Sequence, residues 1–351
     1  MGNVIRYGAV NTKIKAMKSS FLTEEQYQKL INTNSFEEAI RFLKEETDYS
    51  ELFQGISADS IHRGQFEIIV KRYHIERLYK LSHYFSGDYK KLIKILFMRY
   101  EIEDLKVILR SKYVNRSKAE IEDMLAYKNL LNTVDYDYLL SASDIHDLIE
   151  KLKDSIYYKH IKPFEQTINK EGLFMIENNL DILFHSTLRK FIKKLDSEDM
   201  EAISDIIGFE ADMLNITAIY RGRKYYNLSP EEIYNYTIYD YYKLKPEIIK
   251  KLCYAKDMDE YFDILKDLPY KQIIPMNDNE DFLIEVYERA SFKKFLDKYM
   301  AKFQLNISVL MAFVNLLNIE IKNIVSIVEN KKYGAGDTGL IKYLNMSLKK
   351  G

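Results

Sequence analysis

Residues 100–113, "YEIEDLKVILRSKY", place an acid at Glu101, a second acid three positions on at Asp104, an isoleucine at Ile108 and a base at Lys112. On a helix of ~100° per residue these positions share one stripe. Leu105 falls inside it, and Ile102 and Leu109 lie beside it. A helix apolar over so much of its circumference is largely buried, and its charges need partners or water. The pattern returns in residues 210–225, "EADMLNITAIYRGRKY", as Asp212, Asn215, Ile219 and Arg223. It returns again in residues 318–333, "NIEIKNIVSIVENKKY", as Glu320, Asn323, Ile327 and Lys331. The copies stand roughly 110 residues apart, beyond the 20–50-residue period of a stacked solenoid and long enough for a core of their own.

The agreement extends on both sides of the signature. Each copy runs through Lys-Tyr (Lys112-Tyr113, Lys224-Tyr225, Lys332-Tyr333) into a turn and a helix N-cap candidate, Ser117, Ser229 and Asp337. Upstream, "LINTNSFEEAIRFLKEETDYS", "LLSASDIHDLIEKLKDSIYY" and "LCYAKDMDEYFDILKDLPYK" align with Leu43, Leu152 and Leu265 in register. Phe36, Ile40 and Leu43 recur at the i, i+4, i+7 spacing of one helix face. Twelve glycines and 5 prolines in 351 residues leave few chain breakers, and no run alternates as a half-buried strand does. Tyrosine-rich "IYNYTIYDYYKL", residues 233–244, reads as helices separated near Leu244 to Pro246. The expected fold is all-α, with three pseudo-repeated helical domains of about 110 residues at 1–115, 116–227 and 228–351.

Chemistry is sparse. "KKYGAGDTGL", residues 331–340, holds Gly334, Gly336 and Gly339 in the G-x-G-x-x-G spacing, but a helix precedes them and no crossover unit follows. The stretch occupies the place of "VNRS" and "YNLSPE" in the other copies and reads as a turn. No phosphate loop occurs, and no nucleophile elbow. His62, His74, His83, His146, His160 and His185 form no helical metal pair, and a single cysteine, Cys253, cannot build a zinc site or a disulfide. "MNDNEDF", residues 276–282, lacks the spacing of a calcium loop. No cofactor or metal is expected. A net charge of −1 gives no pull toward nucleic acid. One cysteine and the absence of a signal-peptide core near the start fit a cytoplasmic chain. The most apolar segment, Ile307 to Ile319, is short of the ~20 residues that cross a bilayer, so it is expected to be a core helix.

The signature itself admits two readings. In one, Glu101, Asp104, Lys112 and their counterparts cap or pair with neighbouring helices as scaffold. In the other they line a shared internal surface of a socket.

With these features the chain resembles the C subunits of prokaryotic V-type (A-type) rotary ATPases, and is similar to the d subunit of the eukaryotic V-ATPase. The threefold repeat, the E-x-x-N-like signature with "LRSK" and "YRGRK" after it, and the opening "YGAVNTKIKAMKSSFL" carry the resemblance over almost the whole length. Asp104 departs from the usual Asn, and Glu329 stands where Arg110 and Arg221 stand. The resemblance implies a funnel of helical domains, a non-catalytic central-stalk rotor subunit peripheral to the cytoplasmic face of the membrane. Its implied partners are the proteolipid ring and the shaft made of the D and F subunits, in service of proton or sodium transport. A helical-repeat adaptor that binds protein or peptide partners is the alternative. Because the glycine run reads as a turn, calorimetric titration of the protein with ATP or NAD is expected to show no saturable heat. Binding abolished by Gly336→Ala would contradict that reading.

Overall fold

The computed structural model describes residues 2–54, 61, 63–128, 131–168, 172–226, 228–270, 284–301 and 305–332. Among them all regular structure is helical. The glycine run after Tyr333, the N-cap candidate Asp337 and the acidic stretch 276–282 lie outside the described residues.

The chain gathers into two compact units. The first takes Met1–Tyr84, Glu201–Glu210 and the described part of Lys256–Gly351. The second takes Phe85–Met200 and Ala211–Ala255.

The first unit opens with α1 (Gly2–Lys18), α2 (Glu24–Ile31) and α3 (Phe36–Glu46), then a 3-10 turn (Asp48–Phe53) and α4 (Arg63–Ser82). Thr23 starts α2 through a capping box with Gln26, and Ser35 caps α3 through the Glu38 N–H. The second unit holds the long α5 (Gly87–Tyr113), short α6 (Lys118–Glu122), α7 (Tyr136–Leu140), α8 (Ile145–Lys151) and α9 (Tyr158–Ile161), then α10 (Phe174–Ile192). The next helix, α11 (Ser197–Lys224), gives residues 201–210 to the first unit and the rest of its length from Ala211 to the second. It is followed by α12 (Pro230–Asn235) and α13 (Pro246–Cys253), each begun by a proline in the first turn. The chain then returns to the first unit with α14 (Met258–Lys266), α15 (Ile284–Ala301) and α16 (Ser308–Lys332). Ser117 and Ser229 each form a capping box, with Glu120 and Glu232.

α5 ends where Asn115 adopts φ 56° and the Arg116 N–H returns to the Ser111 carbonyl. This left-handed cap suits Asn and satisfies carbonyls that the helix cannot. Residues 236–245 depart from the sequence expectation. α12 ends at Asn235, and the stretch before Pro246 is irregular rather than helical, because the N–H groups of Ile238, Tyr242, Lys243 and Leu244 go to side chains of α11, described below.

In the first unit the two chain ends share a core. Leu22, Tyr27, Leu30, Phe36, Ile40 and Leu43 pack in one cluster with Ile321, Ile324, Ile327 and Val328. Phe21 stacks on Phe313 at 5.8 Å between centroids. A second aromatic group joins Phe209 of α11 to Phe292 and Phe295 of α15, with centroids 5.4 and 4.4 Å away. α16 runs longer than the apolar segment suggested, and by length and composition it could cross a membrane. Its surface is nevertheless committed inward: 72% of its most apolar window is buried inside the protein.

In the second unit α5 and α10 lie antiparallel. Arg110 grips Glu177 with two 2.6 Å bonds, Lys106 reaches Asp181 at 2.6 Å, and Arg99 sits over the Phe184 ring. Burial alone would lower the Lys106 value, but Asp181 and Glu103 hold it above its ordinary one. Gly222 on α11 leaves room for α12: a Cβ there would come within 3.1 Å of Ile233.

Phe313→Ala empties a fully buried site against Phe21 and is expected to cost ~3–5 kcal/mol, read as a lower urea midpoint. Proteolysis should then cut first among residues 19–54, which depend on α16 for their packing. A midpoint within error of wild type would contradict this account of the core.

Candidate functional site

All three signature acids are buried: Glu101 is 1% exposed, Asp212 0% and Glu320 4%. Each sits on a long helix among isoleucines and leucines that leave it no water, and each accepts from donors at the start of a short helix.

Glu101 of α5 accepts the N–H groups of Thr133 and Val134 at 3.1 Å and the Thr133 hydroxyl at 2.9 Å. Val134 directly precedes Asp135, the N-cap of α7. Asp212 of α11 accepts N–H groups from Tyr242, Lys243 and Leu244 at 3.1, 2.7 and 3.0 Å. Leu244 directly precedes Lys245, the N-cap of α13. Glu320 of α16 accepts the Leu22 N–H at 2.7 Å and the hydroxyls of Tyr27 and Tyr49. Leu22 directly precedes Thr23, the N-cap of α2.

The bases serve the other ends of the same short helices. Lys112 donates to the carbonyls of Leu140 and Ala142, past the end of α7. Arg223 donates to Cys253 and Ala255 at the end of α13. Lys331 donates to Ile31, the last residue of α2. Eleven residues of helix span ~16 Å, so acid and base bracket a short helix lying parallel to the long one. The acid meets the positive, amide-bearing end and the base meets the negative, carbonyl-bearing end. Three such clamps occur: α5 on α7, α11 on α13 and α16 on α2.

The middle signature residue shows what the acid-for-amide change does. Asn215 pairs with both backbone groups of Ile238, donating to its carbonyl at 2.8 Å and accepting its N–H at 2.7 Å. Asp104 has no hydrogen to donate and instead accepts two N–H groups, from Ala126 at 3.0 Å and Tyr127 at 2.9 Å. Asn323 lies beside the Tyr27 hydroxyl. Each middle residue therefore holds a different partner.

Sequence reasoning aligned the segments that carry the bases' partners, Ile31, Leu140, Ala142, Cys253 and Ala255, but neither found the acids' partners nor saw which long helix holds which. α2 precedes α5 in the chain, yet its Tyr27 hydroxyl and Ile31 carbonyl bond to α16. The N-caps Ser35, Asp144 and Asp257, eight positions before the aligned leucines, were a legible signal that it missed. Each accepts the N–H three residues on. The carboxylates of Glu38, Asp147 and Glu260 in turn accept the N–H just before each cap, at 2.8, 2.9 and 2.7 Å.

Reactive groups are quiet. Burial pushes the Cys253 thiol up to about 12, leaving it protonated at neutral pH. Among the described residues no group of three or more His, Cys, Asp or Glu side chains is arranged to hold a metal ion. His74 is buried beside the Glu320 clamp, with Nδ1 2.7 Å from the Val70 carbonyl and Nε2 3.4 Å from the Tyr49 hydroxyl. Burial pushes its value down to about 3.

These groups give the clamp on α2 a two-sided pH response. Burial raises the Glu320 carboxyl despite its bonds to Tyr27, Leu22 and Tyr49. A raised carboxyl adds stability below its unfolded value of about 4.5 and loses it as pH climbs through the folded value. A depressed histidine adds stability above 6.5, lost as pH falls from there toward about 3. In urea midpoints taken across acid to neutral pH, Glu320→Gln is expected to flatten the decline above 4.5. His74→Asn should flatten the decline below 6.5. Profiles with unchanged slopes would refute the assignment.

Comparison with known proteins gives the family. The family described as ATP synthase (C/AC39) subunit matches residues 10–338. The C subunit of the A-type ATP synthase of Methanosarcina acetivorans is 28% identical over 349 residues, covering 96% of this chain and 91% of that one. The corresponding subunit of Methanococcoides burtonii is 27% identical over 338 residues, 94% and 91% of the two chains. That of Archaeoglobus fulgidus is 23% identical over 340 residues, 95% and 94%. With a match over nearly its whole length and an all-helical fold built around the repeated signature, the chain belongs to the ATP synthase (C/AC39) subunit family.

Proposed function

We propose that this protein is a non-catalytic central-stalk element of a V/A-type rotary ATPase or ATP synthase. In this reading it is a socket that couples the shaft of the D and F subunits to the proteolipid ring, peripheral on the cytoplasmic face of the membrane. The observation that carries it is the threefold clamp: buried acids and buried or half-buried bases bound to backbone at the two ends of a short helix. Those charges are used up in holding helix to helix, which supports a part that must stay rigid under load rather than one that does chemistry.

The signature residues Glu101, Asp104, Lys112, Asp212, Asn215, Arg223, Glu320, Asn323 and Lys331 are then scaffold, not socket lining. The three sequence copies, divided near residues 116 and 228, then stand as pseudo-equivalent parts of a funnel, each long signature helix clamping a short helix that another copy supplies. The N-terminal segment serves the last long helix. Three modules cannot match a ring of many identical subunits evenly, so a few contacts carry most of the affinity for the ring.

A socket grips by shape and area. Exposed ion pairs contribute only ~0–1 kcal/mol and are screened by salt. Charge reversal at an exposed site such as Lys256 is therefore expected to leave assembly intact. Removing the chain from Leu228 onward should leave ATP hydrolysis running without ion transport. The measurement is transport in reconstituted vesicles beside the ATPase rate of the same preparation. Fully coupled pumping by the truncated complex would refute the socket reading.

A further inference from the structure

Among the described residues, the loop that Asp212 and Asn215 hold is also where tyrosine stands furthest into solvent. Tyr239 is 69% exposed and Tyr241 45%. Their backbone is fixed from beneath by the bonds to Ile238, Tyr242, Lys243 and Leu244. A loop fixed in this way presents its rings with little further ordering cost on contact.

The C-terminal end of α10 lies alongside, because Arg189 Nε meets Asp240 Oδ1 at 2.9 Å. The charge of Lys193 also reaches Asp240. Lys190, Lys193 and Lys194 are all exposed there, and Lys243 extends its ammonium over the Tyr242 ring at 4.6 Å. The carboxylates close by are partly engaged. Asp240 is buried against Arg189, and Asp196 at the start of α11 accepts from the Tyr89 hydroxyl at 3.2 Å. With Glu198 and Asp199 counted as well, the five bases Arg189, Lys190, Lys193, Lys194 and Lys243 outnumber the four acids.

The residue types indicate the partner. Protein interfaces favour arginine and are depleted in lysine, and the one arginine here is paired through Nε with Asp240. Lysines are hydrated point charges on flexible stems, suited to a diffuse negative layer rather than a shaped site. Tyrosines with an apolar ring and a wet hydroxyl settle at headgroup level. We propose that Tyr239 and Tyr241, with Lys190, Lys193, Lys194 and Lys243, dock this face on an anionic phospholipid headgroup surface. The proposal goes beyond the coupling role and does not depend on it.

The test is flotation of the full chain with vesicles of phosphatidylcholine alone, or of phosphatidylcholine mixed with phosphatidylglycerol, at low and high salt. Binding is expected only to the mixed vesicles, and it should fall as salt rises. The triple change Lys190→Gln, Lys193→Gln, Lys194→Gln should weaken it roughly 100-fold, at about fivefold per lysine. Tyr239→Ser with Tyr241→Ser should weaken binding while leaving the salt dependence unchanged. The wild-type contrast between vesicles and salts stands without any variant, so no folding defect can hide the answer. Absence of wild-type binding to the mixed vesicles at low salt would overturn the proposal, as would a triple variant that binds equally well. A triple variant that keeps vesicle binding but drops out of the assembled complex would assign the face to an acidic protein partner and overturn it too.

Discussion

A carboxylate placed on a nearly all-apolar helix must find donors inside the protein, and that requirement organises this fold. Backbone N–H groups at the start of a helix are the donors most in need of a partner. Glu101, Asp212 and Glu320 each take one from the residue just before an N-cap, and the base three turns on takes the opposite end. A charged hydrogen bond at such a site is worth more than a neutral one, and leaving either member alone costs the full desolvation of the other. Each clamp thereby fixes the direction, position and ends of a helix too short to be stable by itself.

The three clamps solve one problem with different donors. Around Glu101 a threonine hydroxyl joins two backbone amides. Asp212, one methylene shorter, gathers three consecutive amides of an irregular segment. Glu320 has a single backbone donor and makes up the difference with two buried tyrosine hydroxyls. The last clamp also joins residues about 300 positions apart, and closing so long a loop costs only slightly more entropy than closing a short one. That weak dependence on length allows the first residues of the chain to complete the packing of its last long helix.

The same economy of polar groups bears on function. Cys253 is buried and protonated, His74 is held neutral, and the signature charges are bound to backbone carbonyls and amides. What remains open to partners is surface: exposed tyrosines and lysines carried on segments the clamps make rigid. That combination supports the proposed coupling role.

Much of this was legible in the sequence. The period of acid, amide, isoleucine and base on one apolar face specified long buried helices, their number and their spacing, because a helical stripe is a local property of side-chain order. Ser117 and Ser229 announced helix starts for the same local reason. The pairing of helices was not legible. Glu101 and Glu320 stand in identical local patterns, yet one reaches forward some thirty residues and the other back to Leu22. Only packing decides which N-terminus lies within reach of a buried carboxylate. The tyrosine-rich loop before Pro246 was lost to the same cause: its residues favour no single structure, and Asp212 on a distant helix draws its amides out of any ladder of their own. Sequence by itself determined that these acids sit on largely buried helices and need partners or water. Tertiary structure decided who donates, since a hydrogen bond is set by distance in space and not along the chain.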